Sequence, residues 1–371
     1  MYLENSKTII IKIGSSLIID DKKIIRKKWL LEFAKDIKAL RKKNKNIIIV
    51  SSGAIALGCK KLNITKKKLK IDQSQAVASV GQIELMNLFK EIFAIQKINI
   101  SQILLTLEDT EIRRRAINAK RTIENLFNLN FIPIVNENDT IANEELKYGD
   151  NDTLSALVAL AINAKKLILL TDINNLYSKD PKENIDATPI REVHDDIQLN
   201  EIKSSNINSN NLGDLKRGWG TGGITTKLIA AEIATKGGVT VQLADGRDNQ
   251  NLKKIFNNEK IGTIFYPCDK PIGNKKSWLS HAIQSVGDII VDDGACFAIQ
   301  NKGASLLLVG IINTIGNFSA NQPIRILNKD EKQVAKGITS MSSDSINSIL
   351  HNKIKKSSSQ IVVHRDVLVL S

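Results

Sequence analysis

The sequence predicts an α/β protein: a three-layer α/β/α sandwich around a mainly parallel central sheet, followed by a small C-terminal β-barrel-like module. Three observations carry this expectation. Six short runs rich in Ile, Val and Leu alternate with helical patterns through the first 255 or so residues. Runs so uniformly apolar are buried on both faces, which calls for a parallel sheet with helices on each side. Past residue 258 the texture shifts to turn formers, and from about residue 280 short β-branched runs sit between Gly, Asn and Asp turns. A chain of 371 residues also exceeds one ordinary domain and suits two. The expected layout is an α/β domain over 1–258, a linker over 259–279 and the barrel-like module over 280–371.

Taken in order, the expected strands are TIIIKIG (8–14), NIIIVSSG (46–53), ISQILLT (100–106), FIPIVNEND (131–139), KLILLTD (166–172) and GVTVQLADG (238–246). Between the first two, Ile25, Trp29, Phe33, Ile37 and Leu40 keep a helical stripe within a lysine-rich segment. In the tail, VGDIIVDDGACFAIQNKGASLLLVGI, QPIRILN and QIVVHRDVLVLS read as short strands. Open parallel sheets bind ligands beyond the carboxyl ends of their strands. Polar residues collect at four such ends: Lys12 and Gly14, Ser51 to Gly53, Asn136 to Asp139, and Thr171 with Asp172.

An apolar content of 42% and a charged content of 25% are those of a soluble globular protein. The sequence shows no bilayer-length apolar run and no signal-peptide layout, so a cytoplasmic location is expected. Three cysteines and four histidines are scattered without metal-ligand spacing, so reduced thiols and no structural zinc are expected. The net charge of +14 is confined to the N-terminal part. Residues 1–70 hold 19 Lys/Arg against 5 Asp/Glu, and the rest of the chain balances. With the apolar stripe on one side of that segment, its lysines form a solvated helix face rather than a nucleic-acid surface.

The stretch GWGTGGITTK (218–227) looks like a phosphate-binding loop but departs from the P-loop pattern. That pattern needs Lys directly after its last Gly, and here Ile224 follows Gly223. Lys227 instead opens KLIAAEIATKGG, a helical run. Glycines, the hydroxyls of Thr225 and Thr226, and a cation at a helix start still suit an anion. The densest polar group is NENDTIANEELKYGDNDTLSALVALAI, where Asn136, Asp139, Asp150, Asn151 and Asp152 bracket a polar loop. Acids and amides so placed suit a zwitterion, and helix capping by Asp150 or Asp152 is the alternative. Together the two segments point to a site for phosphate and a polar small molecule.

At this point IIIKIGSS, VSSGAIALG, NENDTIA, GDNDTLSA, LLTDINNLYSKDP and GTGGITTKLIAA resemble the motifs of the amino-acid kinase family, in the order of its glutamate-phosphorylating members. VDDGACFAIQNKGASLL, GIINTIGNFSANQPIRI, GITSMSSDSI and VVHRD resemble a PUA domain, with Leu308 and Val309 where Pro-Lys is expected. The resemblance implies the amino-acid kinase fold and transfer of the ATP γ-phosphoryl group to the side-chain carboxylate of L-glutamate, the first step of proline synthesis, with Mg²⁺ bound alongside the nucleotide. It implies catalytic roles for Lys12, Asp152 and Lys227, Asp152 orienting the two lysines, and glutamate binding by Ser52, Asp139 and Asn151. It implies ATP binding by Lys12, Thr171, Asp172 and the run Thr221, Gly222, Gly223, Ile224, Thr225, Thr226 and Lys227. It further implies a homo-oligomer, a dimer or tetramer, inhibited by proline. RNA binding through the PUA-like tail is a rival that its weak excess of basic groups does not support. A carboxylate nucleophile with a pKa of about 4.3 is ionised at neutral pH, so no general base is needed. Kinases of the same fold acting on N-acetylglutamate or aspartate are the nearest alternatives, and the acid Asp139 suits a free ammonium group better than an acetylated amine.

Overall fold

In the first strand, β1 (Thr8–Ile13), Ile9, Ile10, Ile11 and Ile13 are at most 1% exposed, so the strand is buried on both faces. The computed structural model describes residues 7–20, 22–64, 69–141, 151–178, 184, 186–195, 198–202, 223–268, 285–320, 322–351 and 360–370. Asp150, Thr221 and Gly222 lie outside the described residues, as do 142–149 and most of the expected linker.

The chain divides into two units, Met1–Pro271 and Ile272–Ser371. The first unit contains, in order, β1, α1 (Lys27–Lys42), β2 (Asn46–Ser51), α2 (Ala54–Lys61), α3 (Ile71–Ile95), β3 (Asn99–Leu105), α4 (Leu107–Glu111), α5 (Arg113–Asn128), β4 (Phe131–Glu137), α6 (Asn151–Ala161) and β5 (Lys166–Thr171). It continues with β6 (Leu176–Tyr177), β7 (Pro189–Ile190), β8 (Glu192–Val193), α7 (Ile224–Lys236), β9 (Thr240–Asp245), α8 (Asn249–Phe256) and β10 (Thr263–Phe265). All six apolar runs form strands of one sheet, ordered β3-β4-β2-β1-β5-β9-β10-β8. From β3 to β9 the pairings are parallel; β10 runs antiparallel to β9, and β8 pairs parallel with β10.

Strand alternation sorts β1 into two faces. Ile9, Ile11 and Ile13 join Trp29, Leu30 and Phe33 of α1, Phe89 and Phe93 of α3, and Leu252 and Ile255 of α8 in one core. Ile10 and Lys12 take the other face, where α6 packs on β1 and β5 and against α7. The helical stripe of α1 is the expected one, with Trp29, Phe33, Ile37 and Leu40 buried. Ile25 lies just outside the helix and bridges to Ile19.

The stretch expected to be linker from residue 259 contains β10, whose three residues are all buried and hydrogen-bonded into the sheet. Three residues are too few to show a period, so only pairing with β9 reveals the strand. The second unit is a six-stranded sheet ordered β12 (Leu306–Leu307), β16 (Ile361–Leu370), β15 (Gln333–Thr339), β14 (Pro323–Leu327), β11 (Asp288–Val291) and β13 (Ile311–Ile315). Only β11 and β14 pair in parallel, and register shifts in four strand pairs bend it. Ile289, Val291, Ile324, Ile326, Val334 and Val362 belong to a core of its own. The tail differs from an all-strand reading in two helices, α9 (Asp293–Lys302) and α10 (Ser343–His351). The signal for α9 was present: Asp292 caps it by accepting from Ala295 N–H at 2.7 Å, and Gly303 ends it at φ 58°.

One buried cation stands away from the carboxyl edge. Lys166, at the start of β5, is 8% exposed and donates to Gln242 Oε1 at 2.6 Å. Among the described residues no carboxylate lies within ion-pair range of it. Burial pushes its pKa down from 10.5 to about 8. The folded state thus releases this proton before the unfolded chain does. Stability therefore rises with pH between about 8 and 10.5, and the cost of burying the charge is fully present below about 8. Urea midpoints measured from pH 7.5 to 10 check this: Lys166→Met should be more stable than the parent at pH 7.5, with the difference shrinking toward pH 10.

Candidate functional site

Because β1, β2, β4, β5 and β9 run parallel, their carboxyl ends share one edge of the sheet. There β1 passes through Gly14, whose N–H donates to Leu170 O at 3.1 Å, into a short 3-10 turn over Ser15–Leu17. β2 turns through Ser51, Ser52 and Gly53 into α2. Gly53 sits at φ 112°, a left-handed conformation that a side chain would strain. Ser52 is held in this turn by its own N–H, which donates to Ile13 O at 3.3 Å. Asp139 follows β4 in the turn where Asn138 N–H donates to Leu105 O. Thr171 closes β5, 5% exposed, with its hydroxyl donating to Asp172 Oδ1 at 3.1 Å. Its carbonyl accepts from Gly246 N–H, which ties this corner to the end of β9.

The centre of the edge is a charged triad. Lys12 Nζ pairs with Asp152 Oδ1, and Lys227 Nζ lies 3.1 Å from Asp152 Oδ2. Asp152 is fully buried, and Lys12 and Lys227 are 4% and 6% exposed. Each carboxylate oxygen thus serves a different ammonium group, and the width of one carboxylate sets the lysine spacing. Thr226 Oγ1 lies 3.1 Å from Asp152 Oδ2 and 2.9 Å from Gly223 O, so its single proton serves one acceptor at a time.

Local sequence explains the three positions. Lys12 faces α6 because it alternates with the Ile11 and Ile13 that enter the opposite core. Asp152 lies in the first turn of α6. α7 starts at Ile224 rather than at Lys227, with Gly223 as its N-cap, so Lys227 lies one turn inside the helix and is buried. The triad itself holds two cations and one anion, at the first turns of α6 and α7, where helix N-termini also favour an anion.

Next to the triad residue Asp152, Asn151 enters an amide chain with Asn136, which is 1% exposed. Asn151 Nδ2 donates to Asn136 Oδ1 at 3.0 Å. The N–H of Glu137 lies within bonding distance of both side-chain oxygens, at 3.0 Å from Asn136 Oδ1 and 3.2 Å from Asn151 Oδ1. Asn136 Nδ2 in turn donates to Gln82 Oε1 at 2.7 Å. Sequence reading passed over Gln82, because a lone amide in a helix 54 residues before Asn136 carries no local signal. The fold thus joins Lys12, Asp152, Thr226 and Lys227 by direct contact, and Asn136 with Asn151. It places Ser52, Asp139, Thr171 and Asp172 at turns of the same edge.

Residues 7–245 match the amino acid kinase family, and residues 287–359 match the PUA domain. The chain is 58% identical over 366 residues to the glutamate 5-kinase of Prochlorococcus marinus (strain AS9601), covering 98% of this chain and 100% of that one. It is 53% identical over 351 residues to the glutamate 5-kinase of Pelagibacter ubique (strain HTCC1062), covering 94% and 92%. It is 42% identical to that of Prochlorococcus marinus (strain MIT 9313), over 97% of this chain and 98% of that one. With its parallel sheet, its lysine-flanked carboxylate and these matches over nearly its whole length, the chain belongs to the amino acid kinase family.

Proposed function

We propose that the chain transfers the γ-phosphoryl group of ATP to the side-chain carboxylate of L-glutamate, yielding L-glutamyl 5-phosphate and ADP. The observation that carries this reading is the buried Lys12–Asp152–Lys227 triad next to the Asn136–Asn151 amide pair. The acceptor needs no activation, since a carboxylate is already an anion. One of its oxygens attacks the γ-phosphorus, the bond from that phosphorus to the β,γ-bridging oxygen breaks, and its electron pair leaves with ADP. The remaining task is to hold two anions in line and to offset charge on the phosphoryl oxygens. Lys12 and Lys227 supply preorganised positive charge, and Asp152 keeps both ammonium groups in place without solvent rearrangement. Gly223 to Lys227 bring the N-terminus of α7 to the nucleotide phosphates, and Thr171 and Asp172 contribute to the nucleotide side. Ser52, Asp139 and Asn151 bind glutamate, Asp139 matching its ammonium group. Asp152 is engaged by both lysines. Mg²⁺ would be bound with the nucleotide and would offset charge on its phosphates.

The test is a hydroxamate assay with Mg·ATP and, in parallel, L-glutamate, N-acetylglutamate and L-aspartate. Glutamate should be the preferred acceptor by a wide margin, and equal or greater turnover with N-acetylglutamate would overturn the reading.

The catalytic residues all lie at or before Lys227, which supports a C-terminal unit that takes no part in the chemistry. A truncation must spare β10, so a stop near Ile261 would remove a sheet strand, whereas a stop after Pro271 follows the division between the units. The 1–271 protein should fold and phosphorylate glutamate with a kcat within about threefold of the full chain, because independent cores tolerate separation. Steady-state kinetics and light scattering on both proteins check this; a folded 1–271 protein without transfer would place part of the active site in the C-terminal unit.

A further inference from the structure

The amide chain beside the triad ends in a donor with no partner among the described residues. Its polarity is set by a single backbone group. The Glu137 N–H can only donate, so the atoms facing it on Asn136 and Asn151 are oxygens. Asn136 must then present its Nδ2 to Gln82, which obliges Gln82 to offer Oε1. The outer atom of Gln82 is therefore an N–H₂ group, and that Nε2 is buried without a partner among the described residues. Buried polar groups are nearly always paired, so a buried donor left without a protein partner at the edge of a site calls for an acceptor from outside the chain.

Gln82 stands where such an acceptor would come. It follows Gly81, where a Cβ would collide with the Ala54 carbonyl oxygen in the first turn of α2. This close crossing brings α3 against the helix that begins directly after Ser52 and Gly53. Gln82 thus bonds the Asn136–Asn151 pair from a helix whose Gly81 packs on Ala54, two residues after Ser52.

We infer that Gln82 is a further residue of the amino-acid subsite, donating from Nε2 to a carboxylate oxygen of the acceptor while Asn136 fixes its rotamer through Oε1. The inference rests on the glutamate kinase reading above. Gln82→Glu separates a substrate contact from a purely supporting role. It keeps an oxygen for Asn136 Nδ2, so a residue that only orients Asn136 would tolerate it. It also removes the donor and sets a negative charge against the substrate carboxylate. The expected result at pH 8 is a KM for glutamate raised about tenfold or more, the loss of a hydrogen bond to a charged group, with KM for ATP changed less than threefold. Gln82→Leu, of similar size, should raise KM for glutamate without adding repulsion and so by less than Gln82→Glu. An unchanged KM for glutamate in Gln82→Glu, with the parent active on glutamate, would overturn the role of Gln82 alone. A parent without glutamate-dependent turnover would overturn the underlying reading as well.

Discussion

Replacing Lys227 by Ala should lower kcat by about 10²-fold or more, equivalent to about 2.7 kcal/mol of lost transition-state stabilisation. Lys12→Ala should act alike. Both side chains reach the same carboxylate from opposite sides, Lys12 at Oδ1 and Lys227 at Oδ2, and both are almost wholly buried. In such a place charge acts through a low effective dielectric and needs no reorganisation when the phosphoryl group begins to move. Because the loss falls on the transition state, KM for glutamate should change little in either variant. Asp139→Ala should show the opposite signature, a KM for glutamate raised far more than KM for ATP, since the proposal above gives this residue, in the turn beyond β4, to the ammonium group of glutamate. Initial-rate kinetics varying each substrate against the other separate these patterns. A large glutamate KM effect in the lysine variants, with an unaltered kcat, would show that the roles are exchanged.

The largest expected effect on stability is that of Asp152→Leu. Asp152 is fully buried and holds two ammonium groups that are themselves at most 6% exposed. Removing the carboxylate takes from two buried ammonium groups the anion they share, and breaking a buried pair in this way costs about 3–5 kcal/mol. The variant should also lose transfer activity, since nothing then sets the lysine spacing. Removing all three charges separates the two consequences. The triple change Lys12→Met, Asp152→Leu and Lys227→Met should recover most of the lost stability, because well-packed apolar side chains often equal or exceed a buried ion pair. It should remain inactive. Denaturant midpoints and hydroxamate rates on the same preparations check both halves. A triple variant as unstable as Asp152→Leu would mean that the triad is kept for folding rather than for phosphoryl transfer.

Much of this protein is legible in one dimension. The six sheet strands announce themselves because strands buried on both faces must be continuously apolar, and TIIIKI and KLILLT can be little else. The α1 stripe, the division into two units and the polar ends of the strands follow from equally local rules. So do the residue types of the site: a lysine after a glycine-rich run, acids and amides around a polar loop. What the tertiary structure alone decided is which of these residues meet. Asp152 and Lys227 are 75 residues apart, and no periodicity links them; strand order and the packing of α6 against α7 bring them to 3.1 Å. Pairing alone likewise places the three-residue β10 in the sheet, from within a stretch that reads as linker. Lys227 became buried because α7 begins at Ile224, one turn earlier than the apolar spacing suggests. Gln82 joined the amide chain because Gly81 lets α3 approach α2 closely, and a backbone N–H then dictated the direction of three side chains. Hydrophobic period is a property of neighbours along the chain. Hydrogen-bond polarity and charge pairing belong to groups that meet only after the sheet has closed its order, and so they are fixed by the fold.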